Sequence, residues 1–302
     1  MVQLAENGNT LELVAGRNKN RPSQIEPGSG PWQRWAIQTI RLFTSNGQFR
    51  GRNVTAAIPP AELFIDNIRI SRSNDDRLQD AAFSRIKQKL PFEPVRQALM
   101  IKCLRTADEN VLVMAAERKT IERHLAIYEQ ANLRIKTMGV WPLALVRCYT
   151  RFFGGRKSDL QAIVMLVSIE QDRTNLVVCR HKQLLFARSI PIGAKQLADT
   201  NVITRFVVEL TACRRQFCAM HHNARIERLL FLTGRAVEKD TCAAIAKQLE
   251  MPAQMGDCLA AVRIANPRKL DIERRAGPSE QETAPDKRLL NWSTAFGLSL
   301  SS

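Results

Sequence analysis

The stretch that most limits what this chain can fold into is residues 160–193, LQAIVMLVSIEQDRTNLVVCRHKQLLFARSIPIG. It holds three apolar runs, 162–169, 174–179 and 184–190, separated by the polar turns EQDR and RHKQ. Short runs rich in Val, Ile and Leu with polar turns between them predict an antiparallel meander of strands, not a helix. The first run is apolar throughout, so its strand is expected to be buried on both faces, with a packed layer on each side of the sheet. Residues 195–220 then follow a helical pattern, 229–232 form a short strand ending at Gly234, and 237–249 form another helix.

The N-terminus repeats part of this order. Residues 1–4 and 11–15 predict two strands joined by the turn AENGN, 32–43 a helix and 54–58 a strand. Hairpin, helix and strand therefore occur twice, about half a chain apart, and the first copy lacks only its opening strand. This is the pattern of a duplicated α/β fold of the ribonuclease-H or actin kind: two facing lobes, with a nucleotide position between them. Between the copies, 63–70, 95–104 and 111–116 read as strands and 75–90 and 119–131 as helices. The N-cap expected for the first of these helices is Asp75 or Asn74, Pro91 forbids its continuation, and Asn132 is the expected stop of the second. The expected organisation is a first half at 1–62, an inserted α+β subdomain at 63–135, a closing helix at 136–158 and a second half at 159–302. Within the last, 266–288 is charged, Pro-bearing and aperiodic and reads as a mobile loop, and 292–300 resumes a helical pattern expected to dock on the second half.

Composition narrows the function. At 302 residues, 45% hydrophobic and 25% charged, the chain is long enough for two core-bearing units. It has no apolar run of bilayer-spanning length, and its first residues lack the basic and apolar regions of a signal peptide, so a cytoplasmic protein is expected. Seven cysteines with no CxxC pair fit reduced thiols. The net charge of +16 calls for an anionic partner, but the basic residues are scattered and aromatics make up 6%, which argues against a nucleic-acid platform. Cys213, Cys218, His221 and His222 share one helix, with a spacing that matches no usual zinc pattern. His124, beside Glu122 and Glu129, reads as an ordinary helix face. Ser168 and Ser189 lack a local partner for nucleophilic work, and Asp172 with Arg173 reads as a turn ion pair.

Four segments in order carry a resemblance: 87–100 (KQKLPFEPVRQALM), 111–147 (VLVMAAERKTIERHLAIYEQANLRIKTMGVWPLALVR), 184–193 (LLFARSIPIG) and 295–300 (AFGLSL). Together they resemble the type IV pilus assembly PilM family, which is actin-like and related to FtsA. The resemblance implies an actin-like two-lobed fold with a small extra subdomain, and a scaffold role at the type IV pilus or a related type II secretion system. It also implies a partner: the cytoplasmic N-terminal tail of a bitopic, PilN-like inner-membrane protein, bound in a groove beside that subdomain. A basic chain peripheral on the anionic inner leaflet gains about 1 kcal/mol per well-placed Lys or Arg. No nucleic-acid partner is implied, and self-association is left open.

The nucleotide position departs from the family pattern. Glycines matter there because backbone N–H groups close on phosphate only where no side chain intervenes. The first phosphate loop is absent. In the second half the candidate residues are Gln171, Asp172, Arg173 and Thr174, with Gly234 on the adenosine side. Ser168 stands where an Asp is usual, Glu170 where a Gly is usual, and the double glycine is reduced to Thr233-Gly234-Arg235. The expectation is a degenerate site with no cofactor, no metal and no ATP hydrolysis, the alternative being a nucleotide-binding ATPase or kinase of the same superfamily. An upstream start codon would restore part of the first loop and leave the second eroded.

Overall fold

Residues 1–8, 10–71, 77–107, 109–222, 224–234, 237–264 and 291–300 are described by the structure, a computed structural model. The chain opens with an antiparallel hairpin of β1 (Val2–Asn7) and β2 (Thr10–Gly16), then helix α1 (Gly30–Ser45) and strand β3 (Asn53–Ala57). Ser29 caps α1 by accepting the Trp32 N–H, and Pro31 occupies the first turn, where a missing N–H costs nothing.

An inserted unit follows: β4 (Phe64–Arg69), α2 (Leu78–Ile86), β5 (Leu99–Ala107), β6 (Asn110–Glu117) and α3 (Arg118–Gln130). Its antiparallel sheet has the order β4-β6-β5, and Ala82 and Ile86 of α2 share a core with Ile68, Leu99, Val111 and Val113. α2 stops at Ile86, short of the expected position 90, and the proposed caps Asp75 and Asn74 lie outside the described residues. Asn132 has φ 63°, the left-handed conformation that ends a helix, as the sequence predicts. Next comes a strand absent from the sequence reading, β7 (Arg134–Gly139), which pairs in parallel with β3. Its polar, largely exposed residues show no apolar alternation.

Helix α4 (Trp141–Phe152) leads into the second lobe, where Trp141, Ala144, Leu145, Cys148 and Tyr149 are all buried. The meander is present: β8 (Ile163–Ile169), β9 (Thr174–Arg180) and β10 (Gln183–Ile190). After α5 (Thr200–Met220) come β11 (Arg228–Phe231), α6 (Lys239–Gln248) and β12 (Ala253–Met255). The sheet order is β10-β9-β8-β11-β12, antiparallel on the β9 side of β8 and parallel on the β11 side. Strand β8 is buried on both faces. Ile163, Met165 and Val167 pack with Phe206, Leu210 and Phe217 of α5, while Val164 and Leu166 pack with Trp141, Leu145 and Tyr149 of α4. Period-two alternation thus sorts one apolar run between two layers.

The first half repeats this order incompletely. β1 and β2 stand for β9 and β10, and β3 and β7 for β11 and β12. Among the described residues no strand takes the place of β8, so the half is split into a β2-β1 pair and a β3-β7 pair.

Two C-terminal elements correct the sequence reading. β13 (Arg263–Ile264), not anticipated, pairs with β2, and α7 (Ser293–Ser299) packs chiefly on α4, β1 and β3 of the first half, while its first residue, Ser293, meets Ser168 Oγ of the second at 3.3 Å. Phe296 meets Phe152 edge-on at 5.8 Å between ring centroids, and Gly297 lets α7 lie directly on the backbone of Ala144. An apolar stripe shows that a helix docks; the partner is chosen by this close fit. The expected loop at 266–288 lies outside the described residues. No helix among the described residues is long and apolar enough to cross a membrane.

Candidate functional site

Gln171, Asp172 and Arg173 lie in the turn from β8 to β9, and Thr174 opens β9. Gly234, at φ 58°, follows β11, which runs parallel to β8, so both groups sit at the same end of the second sheet. The turn is closed on itself and on the segment after β10. The Glu170 N–H bonds Arg173 O at 2.9 Å, while Glu170 O and Gln171 O accept from the Ala194 and Lys195 N–H groups at 2.8 and 3.1 Å. A side chain at Gly193 would strike the backbone of Gln171, Asp172 and Arg173, so this cover is tight. The expected ion pair between Asp172 and Arg173 does not form. Asp172 pairs instead with Lys195 Nζ at 3.0 Å, and Arg173 donates to Ser189 Oγ, because the turn points the two side chains to different neighbours. Thr174 is buried and donates to Ile192 O at 2.7 Å. Burial pushes the Glu170 carboxyl above its ordinary range, more than the Asn175 hydrogen bond and the Arg173 charge bring it down.

Ser168 is wholly buried in a polar knot. Asn291 Nδ2 donates to Ser168 Oγ at 2.8 Å and reaches Ile169 O and Leu232 O, while its Oδ1 accepts from Ser293 Oγ at 2.6 Å. Asn291 therefore ties the ends of β8 and β11 together. Sequence spacing gave no signal for this contact across more than a hundred residues.

An opening with converging polar groups lies elsewhere, between the inserted unit and the second lobe. It has a volume of about 640 Å³, and its walls include Glu62, Phe64, Ile65, Phe92, Arg123 and Arg188. Neither Gln171, Asp172, Arg173, Thr174 nor Gly234 lines it. β4 is an edge strand, and its pairing fixes which groups it offers. Ile70 gives its N–H to Glu109 O, so at two-residue intervals Ile68, Asp66 and Phe64 spend their backbone groups on β6. Ile65 and Asn67 face away. Asn67 closes its end of the edge by donating to Ala187 O of β10 at 3.0 Å, leaving Ile65 open to the cleft.

The cleft's charged wall corrects the reading of His124. This side chain is buried, on the same stripe of α3 as Thr120 and Ile127, and meets Glu62 Oε2 at 2.5 Å. Arg123 donates to Glu62 Oε1 at 2.6 Å and lies over the Trp32 ring at 5.7 Å. A His on the apolar stripe of a helix was the available signal, since such a group needs a buried partner. Burial raises the Glu62 carboxyl, but the His124 hydrogen bond and the charges of His124 and Arg123 together hold it below its ordinary 4.5. A depressed carboxylate contributes stability above its unfolded value and loses it as pH falls through the folded one. Glu62→Gln is therefore expected to cost about 1–2 kcal/mol at pH 7, with wild type and variant converging below pH 4.5, as urea midpoints at the two pH values would show.

Comparison with known proteins matches this architecture. No curated protein gives a significant match. Among solved structures the chain is similar to one described as the PilM-PilN type IV pilus biogenesis complex, with a TM-score of 0.71 and 18% identity over 99% of this chain and 94% of that one. Fainter likenesses reach a Bacteroides thetaiotaomicron protein of actin-like ATPase fold and unknown function (TM-score 0.46, 10% identity, 87% and 91% coverage). Another is the cytoplasmic domain of EpsL, an inner membrane component of the type II secretion system of Vibrio cholerae (0.43, 11%, 88% and 81%). The fold is the actin-like, two-lobed α/β arrangement anticipated from the repeated strand order. The family described as type IV pilus assembly protein PilM matches residues 38–216, more than half of the chain. That span runs from α1 through the inserted unit and the meander into α5, and by it the chain belongs to the PilM family of type IV pilus assembly proteins.

Proposed function

We propose that this protein is a non-catalytic scaffold of the type IV pilus, or related type II secretion, inner-membrane platform. It binds the cytoplasmic N-terminal tail of a bitopic, PilN-like membrane protein along the open edge of β4. The observation that carries this reading is the unpaired backbone of Ile65, set in a cleft of about 640 Å³ between apolar Phe64 and Phe92 and charged Glu62, Arg123 and Arg188. An extended tail adds to such an edge through main-chain hydrogen bonds and seats alternate side chains in flanking pockets. Family membership and the likeness to a protein solved with PilN support the choice of partner. With a net charge of +16, the chain is held in the cytoplasm against the anionic inner leaflet, peripheral to the membrane.

The non-catalytic part rests on Asn291 occupying the ends of β8 and β11 and on the covered β8–β9 turn. Titration with fluorescent ATP and magnesium is expected to show no saturable binding below about 1 mM. Micromolar binding with turnover would replace the scaffold by an active ATPase. For the partner, fluorescence anisotropy with the labelled cytoplasmic N-terminal tail of a PilN-like protein is expected to saturate in the micromolar range. No binding at tens of micromolar would remove the reading.

A further inference from the structure

Helix α5 presents two unlike faces. Phe206, Leu210, Cys213 and Phe217 form its buried stripe, packed on the second sheet. At about 100° per residue the opposite stripe is Arg205, Val208, Ala212 and Arg215, and all four are exposed. Val208 is 61% exposed, the most of any large hydrophobic side chain among the described residues. Glu209, the one acid in the helix, pairs with Arg188 at 3.7 Å, whereas Arg205 and Arg215 have no ion pair among the described residues. The positive row continues past the end of the helix. Arg225 is exposed there, and exposed Arg69 of β4 donates to Ala219 O at 2.8 Å. From Arg205 to Ala219 the row covers about 20 Å of helix. It carries one sign of charge around an apolar centre, where a solvated face mixes both signs.

We infer that this outer face of α5 is a membrane-contact surface, resting on the anionic phospholipid headgroups of the leaflet. The inference rests on the reading of the chain as a membrane platform and adds the surface that meets the bilayer. Charge sets the sign of the occupant. Guanidinium groups hold phosphate oxygens through paired hydrogen bonds, and their methylene stems lie against hydrocarbon beside Val208. Each such cation gains near an anionic leaflet, and salt screens the gain. Position selects the leaflet among anions. Arg188, a wall of the tail cleft, bonds both Glu209 and Gln216 of α5, the latter at 3.5 Å, so α5 flanks that cleft. An extended chain covers at most about 3.6 Å per residue. A short tail seated in the cleft therefore holds this flank close to the bilayer that its other end enters. The stripe has no aromatic side chain on which nucleic-acid bases could stack.

The test is co-sedimentation of the full chain with phosphatidylcholine vesicles containing about one-third phosphatidylglycerol. Half-binding is expected at roughly 1 mM lipid in about 0.05 M salt, with none in about 0.5 M salt or on phosphatidylcholine alone. Arg205→Glu combined with Arg215→Glu should weaken binding at least about tenfold, and Val208→Ser about threefold or more. Arg134→Glu combined with Lys136→Glu changes the net charge equally, from two exposed positions on β7, and should weaken it less than about threefold. Every substituted side chain is exposed, so the thermal midpoints should stay near that of wild type. Tail anisotropy, measured without vesicles, should be the same for the α5 double variant and wild type. Failure of tail binding with vesicle binding intact would remove the tail reading and leave this surface standing. The inference is overturned if the α5 double variant sediments as wild type does or if the β7 pair weakens binding as much. It is equally overturned if wild type shows no preference for phosphatidylglycerol. Tighter binding of duplex DNA than of the vesicles at equal salt, lost in the α5 double variant, would give the face to nucleic acid and overturn it too.

Discussion

Gly297→Val is expected to destabilise the chain by about 3 kcal/mol or more, lowering the melting temperature by about 5–10 °C. Helix propensity alone predicts the opposite sign, because replacing glycine inside a helix gains up to about 1 kcal/mol. Contact geometry decides the matter. A Cβ at position 297 would land on the carbonyl group and Cα of Ala144, and backbone in the middle of α4 cannot swing aside as a side chain can. α7 must lift, which exposes Phe296 and Trp292, buried here against Leu13, Cys148 and Cys258. Losing cover over even one such aromatic costs about 1.5–3 kcal/mol. An unchanged thermal midpoint in circular dichroism would mean that α7 does not seat on α4 as described.

Ile65→Pro is expected to weaken tail binding by at least about tenfold while leaving the thermal midpoint near that of wild type. Proline is tolerated on an edge strand whose N–H is not in the ladder, and Ile65 meets that condition because Phe64 and Asp66 carry the bonds to β6. The lost amide is one that an added strand must bond, and the pyrrolidine ring blocks the approach of its backbone. Phe92→Ala, which removes an apolar wall of the same cleft without altering the edge, is expected to give a smaller loss. Equal affinity for Ile65→Pro and wild type would place the tail elsewhere.

The sequence revealed those features whose physics is local. The 162–169 run announced a strand buried on both faces because it offers no polar face, and β8 is that strand. The turn at Asn132 and the strand–helix–strand–strand–helix order of the insert were legible for the same reason. β7 was not, since RIKTMG has neither alternation nor burial and becomes a strand only through pairing with β3. β12 and β13 are too short to show a period and are likewise defined by their partners. The pairing of His124 with Glu62 spans sixty-two positions, and the bond of Asn291 to Ser168 spans one hundred and twenty-three, beyond any spacing rule. That Asn291 ties the ends of β8 and β11 together could not be read from the sequence. The docking of α7 was misassigned because an apolar stripe names a face and not the surface that receives it.

On the proposed reading an extended tail completes the sheet of the inserted unit at β4. Hydrogen–deuterium exchange on the full chain, with and without saturating N-terminal tail peptide of the bitopic partner, tests it directly. New protection is expected at the Ile65 amide and the neighbouring residues around Phe92, with the β8–β9 turn unchanged. Protection confined to that turn and Gly234, or none at β4, would contradict it.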